Sequence, residues 1–261
     1  MDNILDKIIA NKRKEIVLQK ERISIGSLAK QISDTYSPFS FKQALEASST
    51  GIIAEFKRRS PSRGWIFEDA KIKDILPAYA ENGAAAVSVL SDLDFFGGTM
   101  ADLEEARRLI SIPILRKDFM IDEYQLYQAK ALQANCILLI AAALTTQETK
   151  FLAKKAKELD LDVLLEIHNE KELDHLNEYI DMVGINNRNL KTFVTSIDIS
   201  FQLGEKIPSE FLKISESGIS DIQTVKDLRA AGFKGFLMGE NFMKTNNPGE
   251  ALKAFIEELS K

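Results

Sequence analysis

The sequence predicts an α/β protein, a closed (β/α)8 barrel of the TIM type preceded by an N-terminal helical extension. Three observations carry this expectation. Eight short, almost continuously apolar runs recur along the chain. Segments with helical spacing and recognisable start signals lie between them. From Gly51 onward the chain divides into eight strand–helix units of about 26 residues each, which suits a barrel of roughly 250 residues. An open doubly wound sheet is the alternative, but no G-x-G-x-x-G follows the first run. Residues 1–261 are expected to form one domain.

The elements follow in chain order. Residues 1 to about 50 precede the barrel, and Ile4, Leu5, Ile8, Ile9, Ile16 and Val17 predict an amphipathic helix with a lysine-rich outer face. Lys12-Arg13-Lys14 is expected on that solvated face rather than at an anion, because Glu15 and Glu21 dilute its charge. The extension reads as a lid or plug over one barrel end. The apolar runs are GIIAEFKRRS from Gly51, AAVSVLSD from Ala85, PILRKDF from Pro113 and CILLIAAAL from Cys136. They continue as DVLLEIHN from Asp162, MVGINNRN from Met182, LKISESGI from Leu212 and GFLMGENF from Gly235. Each is apolar over its first half, as a parallel strand covered on both faces should be.

Helix signals alternate with them. Thr145-x-x-Glu148, Asn169-x-x-Glu172 and Ser220-x-x-Gln223 resemble capping boxes, whose side chains satisfy the free N–H groups of a first turn. Asn247-Pro248 places a cap before proline at the first helical position, where the missing N–H costs nothing. Gly232 suits a helix C-terminus. Pro77 is expected to kink its helix or to mark where that helix really starts.

Composition narrows the function. Lys and Arg total 34 against 39 Asp and Glu, a net charge of −5, which argues against binding a nucleic-acid backbone. No stretch has the length of a membrane span, and the first residues lack a signal pattern, so no membrane partner is expected. A lone cysteine, Cys136, fits a reducing cytoplasm and is read as an inert core thiol. With His168, His175 and that cysteine, zinc-ligand spacing is absent. Both histidines are read as having no chemical role, His168 in a rim loop and His175 on the following helix.

The strand ends point to chemistry. Glu55 and Lys57 end the first run, Lys117 the third, Glu166 the fifth, Asn186 and Arg188 the sixth, and Glu216 the seventh. Strand alternation puts Ile53, Glu55 and Lys57 on one face, and likewise Leu115 with Lys117 and Phe119, Leu164 with Glu166, and Ile214 with Glu216 and Gly218. A structural ion network is the plain alternative, but barrel enzymes build their sites at C-terminal strand ends. Ser217-Gly218 and Gly239-Glu240 follow the seventh and eighth strands, where such barrels commonly offer N–H groups to a phosphate. Ser60-Pro61-Ser62-Arg63-Gly64 reads as a mobile loop with anion-friendly groups, with a solvated turn as the plain alternative, and Phe96 and Phe119 suit equally the wall of an aromatic-ring pocket and ordinary packing.

The string from Ile53 to Ser62, IAEFKRRSPS, resembles the first-strand signature of indole-3-glycerol phosphate synthases. The resemblance continues through Phe95-Phe96-Gly97-Gly98, Pro113 to Phe119, Leu164 to His168, Gly184 to Leu190 and Glu216 to Ile219, and covers essentially the whole chain. It implies conversion of 1-(2-carboxyphenylamino)-1-deoxyribulose 5-phosphate to indole-3-glycerol phosphate, carbon dioxide and water, with no cofactor and no metal. It further implies Lys117 as general acid, Glu166 as base, and Lys57 beside the substrate carboxylate or as the second acid, with the division of steps between the two lysines left open. Glu55, Asn186 and Glu216 would hold the lysines and substrate hydroxyls. Ser60, Gly218, Gly239 and the Glu240 backbone match the phosphate side, Phe96, Phe119, Leu138 and Ile140 the hydrophobic wall, and Arg188 the rim. A monomer acting on a small phosphorylated substrate is expected.

The chain departs from that pattern in two places. Gln133-Ala134-Asn135 stands where the family commonly has Gly-Ala-Asp, a change expected to weigh on stability more than on catalysis. Glu240 stands where some relatives carry serine. Two other readings of the same residues are a Schiff-base aldolase using Lys117 or Lys57, and a non-catalytic barrel that binds a phosphometabolite.

Overall fold

The computed structural model describes residues 4–32, 39–190 and 192–261; positions 1–3 and 33–38 of the expected extension lie outside the described residues. The eight apolar runs are eight strands: β1 (Ile52–Phe56), β2 (Ala86–Leu90), β3 (Ile114–Lys117), β4 (Cys136–Ile140), β5 (Asp162–Ile167), β6 (Met182–Asn186), β7 (Leu212–Glu216) and β8 (Gly235–Met238). Each pairs in parallel with its neighbour in the chain, and β1 also pairs with β8, which closes the barrel. Alternation sorts the side chains as expected. Ile53, Leu115, Leu138, Leu164, Ile214 and Leu237 pack inside the barrel, while Ile52, Ala54, Phe56, Val163 and Phe236 pack beneath the helices.

The helix signals hold with local shifts. Thr145 and Glu148 form the expected capping box, and Asn247 caps the helix Pro248–Leu259 with Pro248 in its first turn. At the seventh crossover the cap is Asp221 rather than Ser220, its carboxylate accepting from Thr224 N–H. The fifth crossover carries a 3-10 turn, Glu170–His175, instead of an α-helix. Asn169 and Asn177 accept bonds from amides two residues on, which competes with helix propagation. Pro77 lies within the helix Ile72–Glu81 and does not start it. Gln133 adopts φ +59 just beyond the helix Glu123–Ala131, a left-handed position that glycine fills without strain.

The extension covers both ends of the barrel, not one. Helix Phe41–Ala47 drives Phe41 and Leu45 into the interior layer with Ile53, Cys136 and Leu164, closing the N-terminal end. Burying two such side chains contributes roughly 3–6 kcal/mol. Ser40 Oγ and Lys42 N–H both donate to Asp162 at the start of β5, which fixes the plug in place. Helix Ile4–Arg22 lies at the other end, where Leu5 and Ile8 line the mouth cavity.

Lys12 overturns the expectation of a solvated basic face. It is buried, at 3% exposure, with Nζ 2.7 Å from Glu15, 2.9 Å from Asp92 and 3.0 Å from Asp118. Its position follows from spacing, since Leu5, Ile8, Lys12 and Ile16 form one buried stripe. Asp118 also accepts from Ser91 and Arg116, so the network joins the N-terminal helix to the residue beside Lys117. Among the described residues, no helix is long and apolar enough to cross a membrane.

Candidate active site

Every site residue singled out in the sequence lines one cavity of about 360 Å³ at the C-terminal end of the barrel. Lys117 stands at its centre, rising from β3 with Nζ 2.8 Å from Glu216 and 3.3 Å from Glu166. Lys57 pairs with Glu55 two residues below it on β1. Asn186 donates from β6 to Glu166 at 3.0 Å. Two glycines make room for the buried acids. A side chain on Gly184 would overlap Glu216 Oε1, and one on Gly239 would overlap Glu55.

Protonation here is set by neighbours competing with burial. Burial alone would pull Lys117 down, but Glu216, Glu166 and Glu55 outweigh it and hold the ammonium above its usual range. Burial would raise Glu166, yet Lys117, His168 and Asn186 keep it ionised well below the usual carboxylate range. Glu216 goes the other way: burial, with Glu166 and Glu55 nearby, outweighs Lys117 and pushes it up to about 7. Its Oε1 is buried and accepts no hydrogen bond, as a protonated carboxyl can tolerate. Two carboxylates around one ammonium therefore differ in charge preference, the pattern of a proton-handling site.

The cavity has an apolar wall and a polar rim. Phe96 and Phe119 stand 5.9 Å apart at their centroids, with Leu138 and Ile140 alongside. Ser60 belongs to a small hairpin of Arg59–Ser60 with Gly64–Trp65, so the expected mobile loop is a paired one. Arg188 donates to Ser62 at 2.9 Å and lies 3.3 Å from Glu240, while Arg63 pairs with Glu240 at 3.1 Å. These two arginines offset the charge of the Glu240 carboxylate. Ser217 and Gly218 both take left-handed backbone, at φ +67 and +77. The fully buried Asn187 holds that turn, its Nδ2 donating to the carbonyls of Glu216 and Ser217 while its Oδ1 accepts from Ser200.

Two groups escaped the sequence reading. His168 lies against the site, its Nε2 3.2 Å from Glu166 Oε1 and its Nδ1 3.3 Å from Glu172. The signal was its inward parity, two residues beyond Glu166 on the same strand face. Asn187 points outward between two mouth residues, and nothing in its sequence position marks the turn that it supports.

A profile of the indole-3-glycerol phosphate synthase family matches residues 5–255. The indole-3-glycerol phosphate synthase of Bacteroides thetaiotaomicron is 54% identical over 259 residues, covering 99% of this chain and all of that one. That of a Polaromonas species is 45% identical over 257 residues, covering 97% of each. Among solved structures, 3-hexulose-6-phosphate synthase from Salmonella typhimurium superposes with TM-score 0.63 at 13% identity, covering 80% of this chain and 98% of its own. A tryptophan synthase complex from Pyrococcus furiosus gives 0.60 at 18%, covering 82% and 98%. At these identities the structural likeness concerns the barrel alone.

Proposed function

This chain belongs to the indole-3-glycerol phosphate synthase family, and from that premise we propose how its barrel mouth divides the work of the reaction. The enzyme is a carbon–carbon lyase of tryptophan biosynthesis. It closes the ring of 1-(2-carboxyphenylamino)-1-deoxy-D-ribulose 5-phosphate, removes the carboxylate as carbon dioxide and eliminates water. That membership sets aside the aldolase and binding-barrel alternatives.

In our reading Lys117 protonates the ribulose keto oxygen as the anilino ring carbon attacks, and later the departing hydroxyl. Glu166 takes the proton lost from the methylene carbon beside nitrogen. Lys57, held by Glu55, pairs with the substrate carboxylate until it leaves. Asn186 and Glu216 orient Glu166 and Lys117. Phe96, Phe119, Leu138 and Ile140 hold the anthranilate ring, while Ser60, Ser217, Gly218, Gly239 and the Glu240 backbone take the phosphate, with Arg188 at the rim. The observation that carries this reading is the seat of Lys117 between Glu166 and Glu216, opposite an aromatic wall. We also take residues 1–261 to act as one domain and as a monomer.

The test is indole fluorescence at saturating substrate. Glu166→Gln is expected to lower kcat by about 10²–10⁴ with a native melting temperature, the range for loss of a general base. Wild-type kcat in that variant would remove Glu166 from the role. A second reading gives the base to Glu216, favoured by its hold on a proton near neutrality. Under it, Glu216→Gln is the variant that loses turnover.

The phosphate side gives a separate expectation. Asn187→Ala leaves buried carbonyls unpaired and frees the Ser217-Gly218 turn, a loss of about 1–3 kcal/mol. KM for the substrate should rise roughly tenfold while kcat stays within about twofold, as for lost uniform binding. Steady-state kinetics checks both.

A further inference from the structure

The two rings of the aromatic wall are carried by two short turns. Phe96 ends the helical turn Leu93–Phe96, which follows β2, and Asp92 caps that turn, its Oδ1 accepting the Phe95 N–H at 2.9 Å. Phe119 follows β3 closely, and its N–H donates at 2.8 Å to Oδ1 of the preceding Asp118. Each ring thus hangs on one buried carboxylate. The far ends of the turns are tied as well. Arg58 donates to the Gly97 carbonyl at 3.0 Å, and the Gln125 amide donates to that of Phe119 at 2.9 Å.

We propose that Lys12, reaching in from the N-terminal helix, clamps these two turns together and so sets the width of the slot that takes the anthranilate ring. The inference rests on the reading that Phe96 and Phe119 hold that ring. Lys12 Nζ stands 2.9 Å from Asp92 Oδ2 and 3.0 Å from Asp118 Oδ1, and Glu15 takes the third contact at 2.7 Å. An ammonium has three protons, and three carboxylates surround this one, so its place is fixed from three directions. Moving it away from either aspartate would leave a buried anion unpaired, which is strongly unfavourable. The two caps are therefore kept at one separation. With them go the rings, whose centroids lie 5.9 Å apart with their planes at 39°.

Neighbouring contacts fit a wall that the N-terminal helix completes. Leu5 and Ile8 line the cavity, and Lys12 continues their face one turn on. Asn11, next to Lys12, donates at 2.7 Å to Asp94 within the Phe96 turn. Ser91 Oγ donates to Asp118 Oδ2 at 2.6 Å, and Arg116 lies 3.1 Å from the same oxygen. Those two contacts join the strand ends beneath the turns, so loss of Lys12 loosens the slot and does not abolish it. Lys12 itself stands behind the cavity lining and acts through Asp92 and Asp118, which makes it a positioning residue.

Two variants cut the clamp differently. Lys12→Met removes the ammonium. Asp92→Ser keeps a capping oxygen for the Phe95 N–H but is too short to reach Lys12, which stays paired with Asp118 and Glu15. The second therefore carries the test if the first fails to fold. Each is assayed well below its melting temperature, with the carboxyphenylamino-deoxyribulose phosphate and with an analogue methylated on the ring para to nitrogen. Wild type is expected to favour the parent compound about tenfold or more in kcat/KM, the scale of one methyl group in a fixed pocket. In both variants that preference should shrink roughly threefold or more, and KM for the parent should rise by a similar factor with kcat within about twofold, as for weakened uniform binding. A merely structural role lowers the folded fraction, which reduces kcat per chain but moves neither KM nor the preference. The proposal falls if either folded variant keeps the wild-type preference, or if wild type accepts both compounds equally. Phe96→Ala, run alongside, separates the two levels. An unchanged KM and preference there sinks the placement of the ring, whereas a changed preference there beside unchanged Lys12 and Asp92 variants sinks the clamp alone.

Discussion

Lys117→Met is expected to lower kcat by a factor on the order of 10³ while KM changes little, because proton transfer and charge stabilisation are lost together. Methionine keeps the stem that fills the space between Leu115 and the mouth. The ammonium is another matter. Without it, Glu216 and Glu166 face each other across the cavity, and like charges in a buried site do not both ionise. Glu216, already up at about 7, takes the proton and spares the fold a buried charge pair. The melting temperature should therefore stay within about 3 °C of wild type. Lys117→Arg sharpens the result. Arginine keeps the charge but does not release a proton, so recovered activity there would make the role purely electrostatic. Indole fluorescence beside thermal unfolding decides both points, and most of wild-type kcat in the methionine variant would remove Lys117 as the acid.

Lys12→Met is expected to destabilise the protein by about 3–5 kcal/mol, the cost of breaking a buried ion pair from one side. Asp92 and Asp118 would be left facing each other without a cation. At roughly 2–4 °C per kcal/mol for a chain of this size, the melting temperature should fall on the order of 10 °C. Adding Asp92→Asn should return part of that loss. The pH dependence follows from the same network. Burial opposes ionisation of Asp118, but Lys12 and Arg116 outweigh it and bring its pKa down to about 2. A depressed carboxylate contributes its stability above the unfolded value near 4, and loses it as pH falls toward 2. The three anions outweigh burial at Lys12 and raise its pKa, so its share is present at neutral pH and lost only above the ordinary lysine range. Lys12→Met should move the acid limb upward in pH, because Asp118 then titrates nearer its unfolded value. An unchanged acid limb would mean that Lys12 does not hold Asp118.

Much of this was legible in the residues, for local reasons. A strand's period of two decides which side chains meet inside, so Glu55, Lys57, Lys117, Glu166 and Glu216 could be aimed at one mouth before any contact was known. Thr145 and Asn247 were legible because a cap is written within four residues. What stayed hidden depended on distant partners. Lys12 reads as solvated beside Arg13 and Lys14, and only Asp92 and Asp118, some 80 and 106 positions on, make its burial tolerable. His168 carried the right parity, but its meaning required Glu172 to fold back from a 3-10 turn. The two-ended cover was missed because apolar periodicity in residues 4–17 tells where a helix is and not which end of a barrel receives it.

That cover also constrains the order of assembly. The plug around Phe41 is made early in synthesis, yet its anchor, Asp162, is made about 120 residues later. Lys12 likewise waits for Asp118, and β1 waits for Phe236 and Leu237 of β8 before the ring can close. Contacts of such separation fold slowly and late. Residues synthesised ahead of the barrel are thus among the last to dock, and through most of synthesis they travel as an amphipathic segment whose apolar face has no partner, the kind of surface on which chaperones act.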